Sequence, residues 1–186
     1  NLKYDCQGQG EFVIAMSKGN DPLAIHGRFV PRFTSGTRVK PTITSSVAIK
    51  VLEDVPVVHV SVPEEKVNGA CPFSFSMGQE EIPTEDIVQY YKDNYPNQVN
   101  VFTNGKNIIF TYPEQGARVQ ITAGGRISKC VLNTNLCLTP ENHGGAENIV
   151  GLLGTPTGSK DDDWMERDGG IKALPDVCSI ENPTKQ

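Results

Sequence analysis

Over most of the chain, apolar and polar positions alternate with a period of two, the pattern of strands with one buried face. Residues 11–17 (EFVIAMS) form a compact apolar run, and 23–30 alternate with Leu23, Ile25 and Phe29 on one face. Val47, Ile49 and Val51 share a face with Lys50 opposite, and Val58, Val60 and Val62 share another with His59 and Ser61 opposite. Cys71, Phe73, Phe75 and Met77 alternate with Pro72, Ser74 and Ser76. Asn104-Gly105, between 99–103 and 106–112, is expected to supply the positive φ angles of a type I′ hairpin turn. Gly124-Gly125 separates 118–122 from 126–131 in the same manner, and Asn133-Thr134-Asn135 separates 130–132 from 136–138. Three successive hairpins are therefore expected. The Ser/Thr-rich tract 36–46 reads as a loop leading into a strand.

One helical segment interrupts the strands. Thr84 is expected to cap it, Glu85 and Asp86 suit the positive end of its dipole, and Pro96 stops it. Ile87, Val88 and Tyr91 are expected to face inward. The pattern as a whole predicts a mainly β fold: an antiparallel β-sandwich or flattened barrel with one inserted α-helix and a loop-rich C-terminal third.

Composition narrows the classes. The 186 residues, 37% hydrophobic and 21% charged, are enough for one domain with a real core. The net charge of −5 lacks the basic field that nucleic acid requires, so no nucleic-acid partner is expected. No apolar run approaches the roughly 20 residues of a membrane span. The sequence begins at Asn1 without an initiator Met and is expected to be a processed product or a fragment. It contains no acceptor sequon for N-linked glycans, since Asn182-Pro183-Thr184 has Pro in the middle position.

The five cysteines, Cys6, Cys71, Cys130, Cys137 and Cys178, are dispersed without a CxxC pair, which argues against a zinc ribbon or a thioredoxin-type site. Such a spread fits a secreted, oxidising setting, with buried cytosolic thiols as the alternative. Cys130 and Cys137 flank the expected tight hairpin and are expected to pair. Cys6 and Cys178 lie near the two ends, and a bond between them would tie the termini down. Cys71 is then left over, as a buried thiol beside Phe73 and Phe75.

The most unusual local text is GLLGTPTGSKDDDW at 151–164, a short apolar lead into a Gly/Pro/Thr/Ser turn that ends in Asp161, Asp162 and Asp163 before Trp164. Calcium takes six to eight oxygens from carboxylates, carbonyls and hydroxyls, and such a loop holds these groups close together. A solvated acidic loop is the plain alternative. The spacing is not that of an EF-hand.

Gly151, Leu152, Gly154, Gly158, Asp162 and Asp163 resemble, in register, the closing signature of the von Willebrand factor type D domain. The order of the Asn104-Gly105-Lys106 and Arg118-Val119-Gln120-Ile121 segments, and Asp21-Pro22 followed by Gly27 near the front, resemble the same family. The likeness covers most of residues 10–169 and implies one domain over 1–186, with a helical insertion at about 78–97 and a tail at 170–186. It implies a calcium site from Asp162 and Asp163, with Lys160 as a carbonyl donor, Thr157 at a ligand position and Asp161 as an extra candidate. The sequence departs from the family at Leu153, where the family has Cys, at Thr157, and at His26, which stands where an opening Asp is expected. Some family members cleave themselves at an Asp-Pro bond. Here Asn20 precedes it and Leu23 follows, so a Pro-led strand start is the expectation.

Other chemistry-bearing residues carry weaker signals. Glu64-Glu65 and Glu80-Glu81 are adjacent pairs rather than a separated acid and base. His59 alternates outward, His143 sits in a loop without a nucleophile pattern, and Tyr90 and Tyr91 read as packing. The resemblance implies a non-enzymatic extracellular structural or adhesive module, secreted or at the cell surface. Its expected partners are other proteins or copies of itself, as in a filament or homo-oligomer. A carbohydrate-binding β-sandwich, a secreted hydrolase and, last, a lipid-carrying module are the alternatives.

Overall fold

The computed structural model describes residues 10–31, 42–125 and 128–152. These residues form an antiparallel β architecture with one α-helix. In chain order they give β1 (Gly10–Ser17), β2 (Ala24–Pro31), β3 (Thr42–Lys50), β4 (Val58–Ser61), β5 (Ser74–Met77) and β6 (Glu80–Ile82). Then come α1 (Ile87–Asn94), β7 (Asn100–Thr103), β8 (Asn107–Tyr112), β9 (Ala117–Gly124), β10 (Val131–Leu138) and β11 (Ile149–Val150). The strands run in the order β11-β1-β2-β3-β10-β9-β8-β7, and β4, β5 and β6 branch from β3. The fork lies within one edge of β3. Thr44 pairs with Leu132 of β10, while Ser46, Val47, Ala48 and Ile49 pair with β4. The two branches enclose one core, which joins Val58, Val60, Phe75 and Ile82 with Ile108, Phe110, Val119 and Ile121. This is the sandwich that the alternation predicts. Among the described residues no helix is long and apolar enough to cross a membrane.

Local chemistry accounts for the elements. Val58 and Val60 are buried while His59 between them is exposed, and Phe75 and Met77 are buried beside Ser74 and Ser76. The β7–β8 turn closes between Asn104 and Asn107, where the Asn104 N–H donates to Asn107 O at 3.1 Å and the Asn107 N–H to Asn104 Oδ1 at 3.0 Å. Gly105 takes φ 82° but Asn104 has no positive φ, so the central pair is Gly105-Lys106 and not the Asn104-Gly105 type I′ turn expected. Helix α1 ends before Pro96, with Ile87 and Tyr91 buried and Val88 partly so, as expected.

The structure corrects four further expectations. Thr84 does not cap the helix. Its hydroxyl donates to the Phe73 carbonyl at 2.8 Å, and Asp86 occupies the N-cap without a side-chain bond. The tract 36–46 is not loop throughout, since β3 already begins at Thr42. Asn133-Thr134-Asn135 is not a turn either. It lies within β10, which pairs with β9 from Val131↔Gly124 to Leu138↔Ala117. Asn133 and Asn135 are exposed, and the ladder to β9 satisfies their backbone groups and overrides the turn preference of Asn.

The fourth correction follows from the third. Cys130 and Cys137 do not pair. Seven residues of extended chain separate them by about 23 Å, and the odd spacing points them to opposite faces. Cys130, only 1% exposed, is bonded to Cys71 with a Cα–Cα distance of 5.5 Å. Among the described residues Cys137, not Cys71, carries a free, exposed thiol. The bond ties the β4–β5 connection to the lead of β10. Backbone bonds beside it, Cys130 N–H to Glu64 O at 3.1 Å and Lys66 N–H to Ser128 O at 2.7 Å, close the same seam.

Tyr91 fills the centre of the sandwich, its ring edge-on to Phe110 at 5.7 Å between centroids. Its hydroxyl is buried without a hydrogen-bond partner. An orphaned buried hydroxyl costs about 1–3 kcal/mol, so Tyr91→Phe is expected to raise stability by about 1 kcal/mol in urea denaturation. Burial pushes the hydroxyls of Tyr91 and Tyr112 far above the usual tyrosine range, and the neighbouring tyrosines add to this at Tyr91. In the unfolded chain these groups ionise near pH 10, whereas the fold keeps them neutral. Unfolding then releases protons, so stability from this source is intact below about pH 10 and falls as pH rises beyond it. Melts between pH 8 and pH 11 should show that loss, with a smaller loss in Tyr91→Phe. An equal slope in the two proteins would contradict it.

Candidate functional site

The metal candidates Thr157, Lys160, Asp161, Asp162 and Asp163, and the expected Cys6–Cys178 pair, lie outside the described residues. The structure does describe the entrance to the 151–164 segment. β11 pairs with β1 through Met16↔Val150 and Ser17↔Ile149, and the Leu152 N–H donates to Val13 O at 2.9 Å. Gly151 turns the chain at φ 133°, with its Cα so close to β1 that a Cβ would fall 2.6 Å from the Ile14 carbonyl oxygen.

Against this entrance sits a pair, a buried histidine and a partly buried aspartate, that the sequence does not advertise. His143, 2% exposed, places Nδ1 2.6 Å from Asp21 Oδ2 across 122 residues of chain. Asp21 Oδ1 accepts the Leu23 N–H at 3.0 Å, so the Asp-Pro segment forms a local turn that aims its carboxylate at the imidazole. Lys18 N–H to Asn148 O at 2.7 Å completes the tie between the β1–β2 turn and the 3₁₀ segments Pro140–His143 and Ala146–Asn148. The Ser17 hydroxyl approaches the His143 carbonyl at 3.5 Å rather than its ring, so Ser17, His143 and Asp21 do not form a nucleophile–base relay. The pair ties the β1–β2 turn to the 3₁₀ segment that leads into β11.

His26 and His59 meet on a different surface. The register His26↔Ala48↔His59 sets them on one row either side of a small residue. They line a shallow groove of about 230 Å³ with Glu11, Arg28 and Lys50. Lys50 donates to the carbonyls of Glu53 and Val55, at 2.6 and 2.9 Å, and so fastens the β3–β4 connection. Glu64 and Glu65 both engage Lys129, at 2.5 and 3.1 Å. These hydrogen bonds, Glu64 first, hold its ammonium above the usual lysine range. As solvent-exposed carboxylates they hold the seam beside Cys130 rather than form an acid–base pair. Glu80 and Glu81 are exposed on β6.

A further solvent-facing surface is the outer side of β7–β10. Its central row crosses four strands as Asn135↔Gln120↔Ile109↔Phe102. Asn133, Thr122 and Asn107 flank it on one side, and Cys137, Arg118, Thr111 and Asn100 on the other. Thr122 donates to Asn107 Oδ1 at 2.6 Å and Arg118 to Gln120 Oε1 at 3.3 Å. Phe102 is 58% exposed at the end of the central row. Sequence reading missed this surface because it broke β10 at residues 133–135. With the strand continuous, the period of two places Asn133, Asn135 and Cys137 on one face.

No family model matches the chain, and no curated protein sequence matches it.

Proposed function

We propose that the chain is a non-enzymatic extracellular module for assembly or partner recognition, of the von Willebrand factor type D kind. The observation that carries this reading is a disulfide-braced sandwich that leaves one sheet face, four strands wide, to solvent. A disulfide closed across the fold suits an oxidising compartment. A rigid sheet face presents side chains without the ordering cost that a loop would incur.

The finer part of the proposal is a calcium ion held by Asp161, Asp162 and Asp163 with oxygens from Thr157 and Lys160. It is supported by the strand β11 running directly into Gly151, the arrangement that the resemblance implies. The ion would offset two of the three carboxylate charges and so relieve their mutual repulsion. Calcium titration of the whole chain by calorimetry, paired with thermal melts, tests this. An ion bound only by the folded state stabilises it by about 2.7 kcal/mol at a hundredfold excess over Kd. Heat and melt shift are expected in the wild type and neither in Asp162→Ala/Asp163→Ala. No heat and no shift in the wild type would retire the calcium site and leave a metal-free scaffold.

A further inference from the structure

We infer that the outer face of β7–β10 binds a neutral carbohydrate chain laid across the strands, along the row Asn135, Gln120, Ile109 and Phe102. The inference rests on the reading of the chain as a recognition module and names the class of partner.

Chemical character comes first. Arg118 is the one charged side chain among the outward positions of these four strands, on a chain whose residues are 21% charged with a net charge of −5. The rest are chiefly amides and hydroxyls. A side-chain amide both donates and accepts, which matches a sugar hydroxyl that does the same. A polyanion would meet only one cation here. A second copy of the chain would find only scattered apolar surface, because the large apolar side chains at the outward positions are Phe102, Ile109 and Val131, with Val131 apart from the other two at the start of β10, and a stable interface has an apolar centre.

Geometry comes second. Adjacent strands lie about 4.8 Å apart, so the row spans roughly 14 Å. That spacing is close to the length of one pyranose ring in an extended glycan, so each ring would meet one strand. Phe102 stands 58% exposed at the end of the row, where its ring can take the apolar face of a sugar. The 3.3 Å bond from Arg118 engages the Gln120 carbonyl oxygen and leaves the amide NH₂ of Gln120 as a donor. The Thr122–Asn107 bond at 2.6 Å fixes the neighbouring row. The face is thus ordered before any ligand arrives, which lowers the cost of binding.

The test titrates the whole chain with cellohexaose, chitohexaose and mannohexaose by calorimetry, with heparin as the polyanionic comparison. At least one neutral hexasaccharide is expected to bind. Phe102→Ala should weaken that binding by about tenfold or more, and Gln120→Ala by several-fold. His59→Ala, on the outer side of the other branch, should leave it unchanged. Phe102 is exposed, so the melting temperature of Phe102→Ala should match the wild type and separate lost contact from lost fold. The inference is overturned if no neutral hexasaccharide binds, if only heparin binds, or if both face variants bind as the wild type does. It is also overturned if Phe102→Ala instead abolishes a concentration-dependent dimer. Failure of binding would leave the recognition-module reading with protein partners. Release of reducing ends from a bound hexasaccharide would uphold the face and overturn the non-enzymatic reading.

Discussion

Cys71→Ala/Cys130→Ala is expected to lose about 4 kcal/mol of stability, with a fall in melting temperature of roughly 10 °C. The bond closes a span of 59 residues, and in the chain-entropy picture a loop of that length removes a large set of unfolded conformations. It also fastens the β4–β5 connection to the lead of β10, across the seam where the two branches meet. Urea denaturation without reductant measures the effect, beside Cys137→Ser as a control. Cys137 is exposed and unbonded, so its replacement should change stability by no more than about 0.5 kcal/mol. Peptide mapping under non-reducing conditions should recover Cys71 linked to Cys130, with Cys137 open to a thiol reagent. A loss below about 1 kcal/mol in the double variant, or a recovered Cys130–Cys137 link, would refute the assignment.

Gly151→Ala is the second large expected effect, a loss of about 2–3 kcal/mol. Two costs combine there. The φ of 133° lies in a region that suits glycine, and the added Cβ would meet the Ile14 carbonyl oxygen at 2.6 Å and the Ala15 Cα at 3.0 Å. Both are backbone atoms and no side-chain rotation moves them, so β11 would have to lift from β1. The Leu152–Val13 hydrogen bond would go with it. Gly19→Ala separates the two costs. Gly19 has φ 88° with open space around it, so its replacement should cost only the conformational part, about 1 kcal/mol. Equal losses in the two variants would show that β1 does not press on Gly151. If the 151–164 segment holds calcium, Gly151→Ala should also weaken that binding, because it displaces the strand that feeds the loop.

Particular residues show how much was legible. The alternation at Val58–His59–Val60 and at Phe73–Ser74–Phe75 marked buried faces correctly, because a strand's side chains point to opposite sides in turn wherever the strand pairs. Asn104-Gly105 marked the place of its hairpin but not the turn type, because Gly105 alone takes the positive φ and Asn104 instead closes the turn by accepting the Asn107 N–H. The helix was placed within a few residues, but its cap was not. Thr84 satisfies the Phe73 carbonyl instead of the first turn of the helix, a choice set by the residue just before β5, eleven positions upstream.

The candidate site was legible only in part. The 151–164 segment stood out in the sequence, and the structure adds the strand that leads into it. Asp21 and His143 were each noticed and never joined, since nothing local couples residues 122 apart. The open face of β7–β10 was hidden by a single misreading, in which Asn133-Thr134-Asn135 was taken as a turn.

The sequence by itself determined the strand class, the inward faces, the main hairpin and the helix, because these follow from the periods and dihedral preferences of neighbouring residues. Only the tertiary structure decided the fork at β3, the partner of Cys130, the union of Asp21 with His143 and the continuity of β10. Each of these depends on which distant backbone supplies the hydrogen-bond ladder and in what register. That choice is made by the packing of two layers around one core, and no local stretch of the chain encodes it.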